Sequence, residues 1–204
     1  MKTKITTIIF DLSEVYLTGL KDTEEILNKK WNLPWGKTYD HMVEGGLIDL
    51  WHGKLSEDEF WKKTISKNKW DISLEEVKKL VRENFKEIEG TRKIIESLKN
   101  KGFKLGLLSV HSKEWVDHCE KKFQYHKLFH SVVYSFEVEV CKPDKKSYEH
   151  ILEKLKVKPE ECLFIDDSKK NILSAKEMGI TVIHFKNPAQ LKKDLKKALG
   201  EDYE

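Results

Sequence analysis

Arginine is almost absent from this 204-residue chain: of its 38 basic residues only Arg82 and Arg92 carry a guanidinium, and the rest are lysine. A rigid two-pronged clamp on a substrate can therefore come from two positions only, and any phosphate recognition must use lysine, hydroxyls and backbone N–H groups. Net charge is equally scarce. The 35 acidic residues nearly cancel the basic ones and leave +3, too even a balance to imply nucleic acid or an anionic membrane as partner. The three cysteines, Cys119, Cys141 and Cys162, are odd in number, far apart and without a C-x-x-C pair, which excludes a disulfide framework or zinc finger and leaves reduced core thiols as the expectation. No apolar run approaches the roughly 18 residues of a membrane span, and the opening MKTKITT lacks the apolar stretch of a secretion signal. A soluble, reducing compartment, the cytoplasm, is expected. Repeats and low-complexity linkers are missing too.

What is present begins with a short apolar, β-branched run, ITTIIF at 5–10, that stops at a carboxylate, Asp11, and passes into a polar turn. An ionised group at the carboxyl end of a buried strand must be paired, hydrogen-bonded or metal-bound. Asp11 is thus either a turn cap or a participant in chemistry. From Gly19 to about Gly90 the pattern is helical, with capping-box spacings at Asp22-Thr23-Glu24-Glu25, Ser56-Glu57-Asp58-Glu59 and Ser73-Leu74-Glu75-Glu76. Apolar residues such as Ile26, Leu27, Leu50, Phe60, Val77 and Val81 recur at helical spacing and predict a small bundle. Its tryptophans, Trp31, Trp35, Trp51, Trp61 and Trp70, are expected in the core rather than stacked on a substrate.

After Gly90 strands alternate with helices. The pattern predicts a helix over 91–101 stopped by Gly102, a strand over 103–109, a helix from Ser112 to Phe123 and a strand over 132–134. It continues with a helix starting at Pro143, a strand over 162–165, a helix capped by Ser168 and ended by Gly179, a strand over 181–185 and a last helix from Pro188. Such alternation gives right-handed crossovers and a parallel sheet flanked by helices, whose ligands bind beyond the carboxyl ends of the strands. Read in order, those ends are Asp11, Ser109, the loop to Lys142, and Asp166-Asp167. Three acids make a hard, oxygen-rich site suited to magnesium, while the serine and lysine suit a phosphoryl group. Magnesium on one side and the lysine on the other would neutralise the charge on transferring phosphoryl oxygens.

These residues resemble the haloacid dehalogenase-like hydrolases, most of which are magnesium-dependent phosphatases. Four motifs stand in family order: FDLSEVY around Asp11, LLS ending at Ser109, CKPDKKSY around Lys142, and FIDDSKKNILSAKEMGI around Asp166 and Asp167. They span nearly the whole chain, and WHGKLSEDEFW in the helical insertion resembles the caps of sugar-phosphate phosphatases and of epoxide-hydrolase amino domains. The resemblance implies an α/β, Rossmann-like parallel sheet flanked by helices, built from residues 1–17 and 90–204, with a helical-bundle cap domain over 18–89. It also implies that Asp11 is a nucleophile forming an aspartyl phosphate. Magnesium would be held by Asp11, the backbone carbonyl of Ser13, Asp167, and Asp166 directly or through water. Ser109 would donate to a phosphoryl oxygen, Lys142 would pair with the nucleophile and the phosphoryl group, and Asn171 would orient the acidic loop.

One position departs from the family pattern. Most of its phosphatases carry a second aspartate two residues after the nucleophile as general acid and base, and here that residue is Ser13. A hydroxyl is too weakly acidic for the task, which is worth about 10²–10⁴-fold, so slow turnover is expected. Glu14 is the nearest substitute, but one residue further on its side chain is expected to point elsewhere. His111 follows Ser109 where relatives have other residues; it is a candidate substrate contact, with an exposed loop histidine as the plainer reading. Three functions follow: a magnesium-dependent phosphomonoesterase acting on a small phosphorylated metabolite such as a sugar phosphate; a catalytically impaired relative that binds a phosphorylated ligand or a protein; and carbon–halogen hydrolysis. The last also dispenses with the second aspartate, but it needs no metal, and the acidic pair argues against it.

Overall fold

Four consecutive buried residues, Thr7 to Phe10, form β1 (Thr7–Phe10) in the computed structural model, which describes residues 4–200. A strand covered on both faces belongs in the middle of a parallel sheet. β1 pairs in parallel with β2 (Lys104–Ser109) on one side and β4 (Cys162–Asp166) on the other, and β3 (Ser131–Tyr134) and β5 (Thr181–His184) complete the order β3-β2-β1-β4-β5. Each strand falls within about two residues of its predicted bounds, the usual scatter at element ends. The ends of the expected core segments, 1–3 and 201–204, lie outside the described residues.

Between β1 and β2 come α1 (Leu20–Trp31), α2 (Lys37–Gly45), α3 (Leu47–Trp51), α4 (Glu57–Asn68), α5 (Leu74–Asn84) and α6 (Thr91–Asn100). Helix α7 (Lys113–Phe123) joins β2 to β3, α8 (Ser135–Val138) and α9 (Lys145–Leu155) precede β4, α10 (Lys169–Glu177) precedes β5, and α11 (Pro188–Leu199) follows it. The period-2 alternation of β1 sorts the core. Ile9 faces α9 and α10, packing with Tyr148, Ile151 and Ala175. Ile8 and Phe10 face the opposite way into a larger cluster that holds Ile95 of α6, Trp115 of α7 and Leu195 of α11 and runs on into Trp61 and Val81 of the inserted helices.

Local signals set most helix starts. Ser56 and Ser73 each form the expected reciprocal box with Glu59 and Glu76. The spacing at Asp22 is not used: α1 starts earlier, behind Gly19, whose N–H is taken by the Glu14 carboxylate at 3.0 Å, and Glu24 instead accepts the N–H of Gly36 at 2.7 Å. The helix expected from Pro143 starts at Lys145, because Asp144 caps it by accepting the N–H of Lys146 at 2.9 Å; Pro143 stands before the cap, joined to Lys142 by a cis bond.

The bundle core takes fewer tryptophans than expected. Trp61 is fully buried and Trp70 nearly so, with Trp31 stacked on Trp70 at 4.5 Å, but Trp35 is 68% exposed and Trp51 lines a cavity. Ile26 is also exposed, since α1 turns that position away from its neighbours. Cys119 and Cys162 are buried, their thiols pushed up to about 12 by desolvation, whereas Cys141 is only half-buried. No helix among the described residues is long and apolar enough to cross a membrane.

Helices α2 and α4 cross where α2 ends in Gly45. A β-carbon there would stand 1.9 Å from Thr64 Oγ1 and 3.1 Å from Thr64 Cα, so any larger residue must push the helices apart. Gly45→Ala is expected to cost about 1–3 kcal/mol in denaturant unfolding, the usual penalty of overpacking. A stability equal to wild type would show that the two helices do not approach this closely.

Candidate active site

Parallel pairing in register brings the carboxyl ends of β1 and β4 side by side, and each ends in a carboxylate. Asp11 follows Phe10 directly and donates its N–H to the Ile165 carbonyl at 2.9 Å, while Asp166 is the last residue of β4. Lys142, from the loop before α9, puts its Nζ between them, 2.9 Å from Asp11 Oδ1 and 2.7 Å from Asp166 Oδ2. All three are buried, Asp166 completely. Burial works against the lysine's charge, but the two carboxylates outweigh it and raise its pKa. For Asp11 the balance goes the other way: desolvation pushes its carboxyl up to about 8, against the pull of Lys142 and with a further push from Asp166.

Asp166 is saturated by local partners. Its Oδ1 accepts the Ser168 N–H at 2.7 Å, and Asn171 Nδ2 reaches both oxygens at 3.1 and 3.0 Å. Asp11 is not saturated. Its two contacts, the Leu12 N–H at 2.7 Å and Lys142, both fall on Oδ1, leaving Oδ2 without a partner among the described residues. Asp167 adds a third carboxylate, and one oxygen from each of the three acids lies within 4.8 Å of the others.

A second ionic group borders the first. Glu14 adopts the left-handed conformation, φ 59°, and its carboxylate turns back to line the same cavity as Asp11, contrary to the expectation that it would point elsewhere. Burial raises its pKa. Lys21, at the start of α1, places Nζ 2.9 Å from Asp167 Oδ2 and 3.9 Å from Glu14 Oε2. Nothing marks Lys21 in the sequence among so many lysines; only the turn at Glu14 brings it back over the strand ends.

These groups floor a cavity of about 380 Å³, the size of a small-molecule site. Ser13 and Asn171 line it too. Ser109 does not: it is fully buried at the end of β2, and its Oγ makes no hydrogen bond. His111 is not the exposed loop residue anticipated. It is 3% exposed and lines the cavity between Phe85 and Trp115, with its pKa pushed down to about 4 by burial. It is therefore neutral at physiological pH. Trp51, Phe85 and Trp115, which also line the cavity, carry no sequence signal that separates them from ordinary core aromatics.

The chain is similar to several known proteins. The chain is 34% identical over 111 residues to the phosphorylated carbohydrates phosphatase of Thermotoga maritima, covering 54% of this chain and 51% of that one. It is 28% identical over 114 residues to bifunctional epoxide hydrolase 2 of Rattus norvegicus, covering 52% of this chain and 20% of that one. The chain thus spans between a fifth and about half of the length of these relatives. In fold it resembles a haloacid dehalogenase-family enzyme of Bacteroides thetaiotaomicron solved with magnesium and inorganic phosphate, with a TM-score of 0.72 and 20% identity over 90% of this chain and 95% of that one. The family model for haloacid dehalogenase-like hydrolases matches residues 8–185, from β1 to just past β5. With that match over most of its length, the chain belongs to the haloacid dehalogenase-like hydrolase family.

Proposed function

We propose that this hydrolase is a magnesium-dependent phosphomonoesterase that works through an aspartyl phosphate. The observation that carries this reading is the free Oδ2 of Asp11, beside a buried lysine and two further carboxylates at adjacent strand ends. A divalent cation fits the donor set. Among the described residues, the three carboxylates are ion-paired with Lys142 and Lys21, and burial, with a further push from Asp166, raises the Asp11 carboxyl, a cost that a bound cation would offset. Asp11, Asp167 and the backbone carbonyl of Ser13 would hold the ion, with Asp166 directly or through water. Bound there, magnesium supplies Lewis-acid polarisation and charge neutralisation at the phosphoryl oxygens.

The chain's own residues account for the rest. Asp11 Oδ2 forms a bond to phosphorus as the ester P–O bond breaks, and Lys142 neutralises the growing negative charge. The unpartnered hydroxyl of Ser109 is fully buried and outside the cavity lining, so it would donate to a phosphoryl oxygen only if the end of β2 opened toward the cavity. No carboxyl at position 13 protonates the departing alcohol, so that proton comes from solvent water. A water molecule then attacks phosphorus, releases phosphate and restores Asp11. Residues 18–89 act as a cap over the core of 1–17 and 90–204, a reading supported by Leu20, Lys21, Tyr39 and Trp51, which the insertion contributes to the cavity wall.

Assay of the magnesium-loaded protein on small phosphate esters tests this reading. Slow hydrolysis is expected; Asp11→Asn should abolish it, and Ser13→Asp should raise kcat roughly 10–100-fold by restoring an acid and base. A wild type that is inert, gains nothing from Ser13→Asp and yields no acyl phosphate trappable in acid would be a binding or regulatory relative, the reading that Ser13 favours. Lys21 holds Asp167 Oδ2 and would compete for that oxygen with a cation held by Asp167. Because that ion pair is solvent-exposed on the lysine side, Lys21→Met is expected to tighten magnesium binding by no more than about fivefold, as measured by calorimetric titration. Weaker binding in the variant would mean that Lys21 supports the metal site instead of competing with it.

A further inference from the structure

The chemistry above leaves one wall of the cavity unused, and that wall is aromatic. Phe85, His111 and Trp115 form a closed triangle of rings with centroids 5.6, 5.7 and 6.1 Å apart, each ring at most 3% exposed. The triangle is pinned from behind. Trp115 Nε1 donates to Glu57 Oε1 at 2.8 Å, and Glu57, itself buried, is gripped by both terminal nitrogens of Arg82. Trp51 and Tyr39 come to the same cavity from the inserted helices and are only partly covered, so their rings are open to a ligand.

A sugar presents hydroxyls on every edge, each of which loses water on entering the site and needs a polar partner in return. This wall offers few. His111 brings one polar side chain to it, its Nδ1 buried and unpartnered. Of the other polar side chains in the cavity that the chemistry does not use, Glu24 already accepts from Gly36 and Asn28, and Ser168 and Lys170 follow the acids of the floor. Neither guanidinium is available: Arg82 holds Glu57, and Arg92 holds Glu87 and the Phe123 carbonyl. The triangle, at most 3% exposed, is a fixed backing, and the accessible rings of Trp51 and Tyr39 beside it are suited instead to a flat apolar face, bound with little loss of conformational freedom.

We propose that the phosphoester bound by this site carries an aromatic ring on its alcohol side, seated between Trp51 and the Phe85–His111–Trp115 triangle, rather than a polyhydroxylated sugar. The substrate class rests on the phosphomonoesterase reading, whereas the preference of the wall can be measured without turnover. The magnesium-loaded protein is titrated with benzylphosphonate and with 3-hydroxypropylphosphonate, neither of which can be hydrolysed. In parallel, hydrolysis of benzyl phosphate is compared with that of glucose 6-phosphate, since both are primary alkyl esters. Benzylphosphonate is expected to bind about 5- to 10-fold more tightly than the hydroxypropyl compound and to lose that advantage in Trp51→Ala. Benzyl phosphate should show the larger kcat/KM, and Trp51→Ala should act on it mainly through KM. Equal binding of the two phosphonates, or a sugar phosphate preferred in hydrolysis, overturns the proposal. Selective binding of benzylphosphonate with no hydrolysis of either ester would keep the aromatic preference and defeat the phosphatase reading alone.

Discussion

The ammonium of Lys142, buried between two carboxylates, is the contact on which the rest of the site depends. Its side chain is 1% exposed, and those of Asp11 and Asp166 are 9% and 0% exposed. A charge so far from water survives only with partners in good geometry, and removing one member of such a pair commonly costs about 3–5 kcal/mol. Asp166 meets that condition through Lys142 and its chain neighbours Ser168 and Asn171. Asp11 is left with one oxygen free and its carboxyl raised. The proposed chemistry uses this asymmetry: one acid has both oxygens engaged around the lysine, and the other keeps an oxygen without a partner among the described residues.

The two arginines are used differently from what their scarcity first suggested. A guanidinium clamp on substrate could have come only from these positions, yet both fasten the inserted helices to the core. Arg82 of α5 grips Glu57 of α4, which holds the indole of Trp115 on α7. Arg92 of α6 pairs with Glu87, which also accepts from the Tyr16 hydroxyl, and lies 5.6 Å from the Tyr16 ring. Forked donors hold two elements at a fixed angle where a lysine would swivel. Arg82, through Glu57, thereby ties Trp115 of the cavity wall to the inserted helices.

Much of the fold was legible because its signals are local. Alternation of apolar runs with capped helices marked every strand, and the serines at 56 and 73 marked two helix starts. Asp22 failed as a cap because Gly19 already had a partner in Glu14, a contact that depends on a left-handed residue in the preceding turn. The tryptophans divided between core, cavity and surface for a similar reason. Helical spacing shows that a residue shares a stripe with its neighbours but not what the stripe faces.

By itself, the sequence determined the parallel α/β core and the strand ends at which Asp11, Ser109, Lys142 and Asp166-Asp167 stand, since each follows from periodicity over a few residues and from the direction of the strands. Tertiary structure alone decided which of those groups meet. It joined Lys142 to Asp11 and Asp166, buried Ser109 outside the cavity lining, folded Glu14 and Lys21 back toward Asp167, and buried His111 among aromatic rings. The reason is physical: ion pairing and burial depend on distances between segments that in Lys142–Asp166 are 24 residues apart and in Lys21–Asp167 146, which are set only when the helices pack.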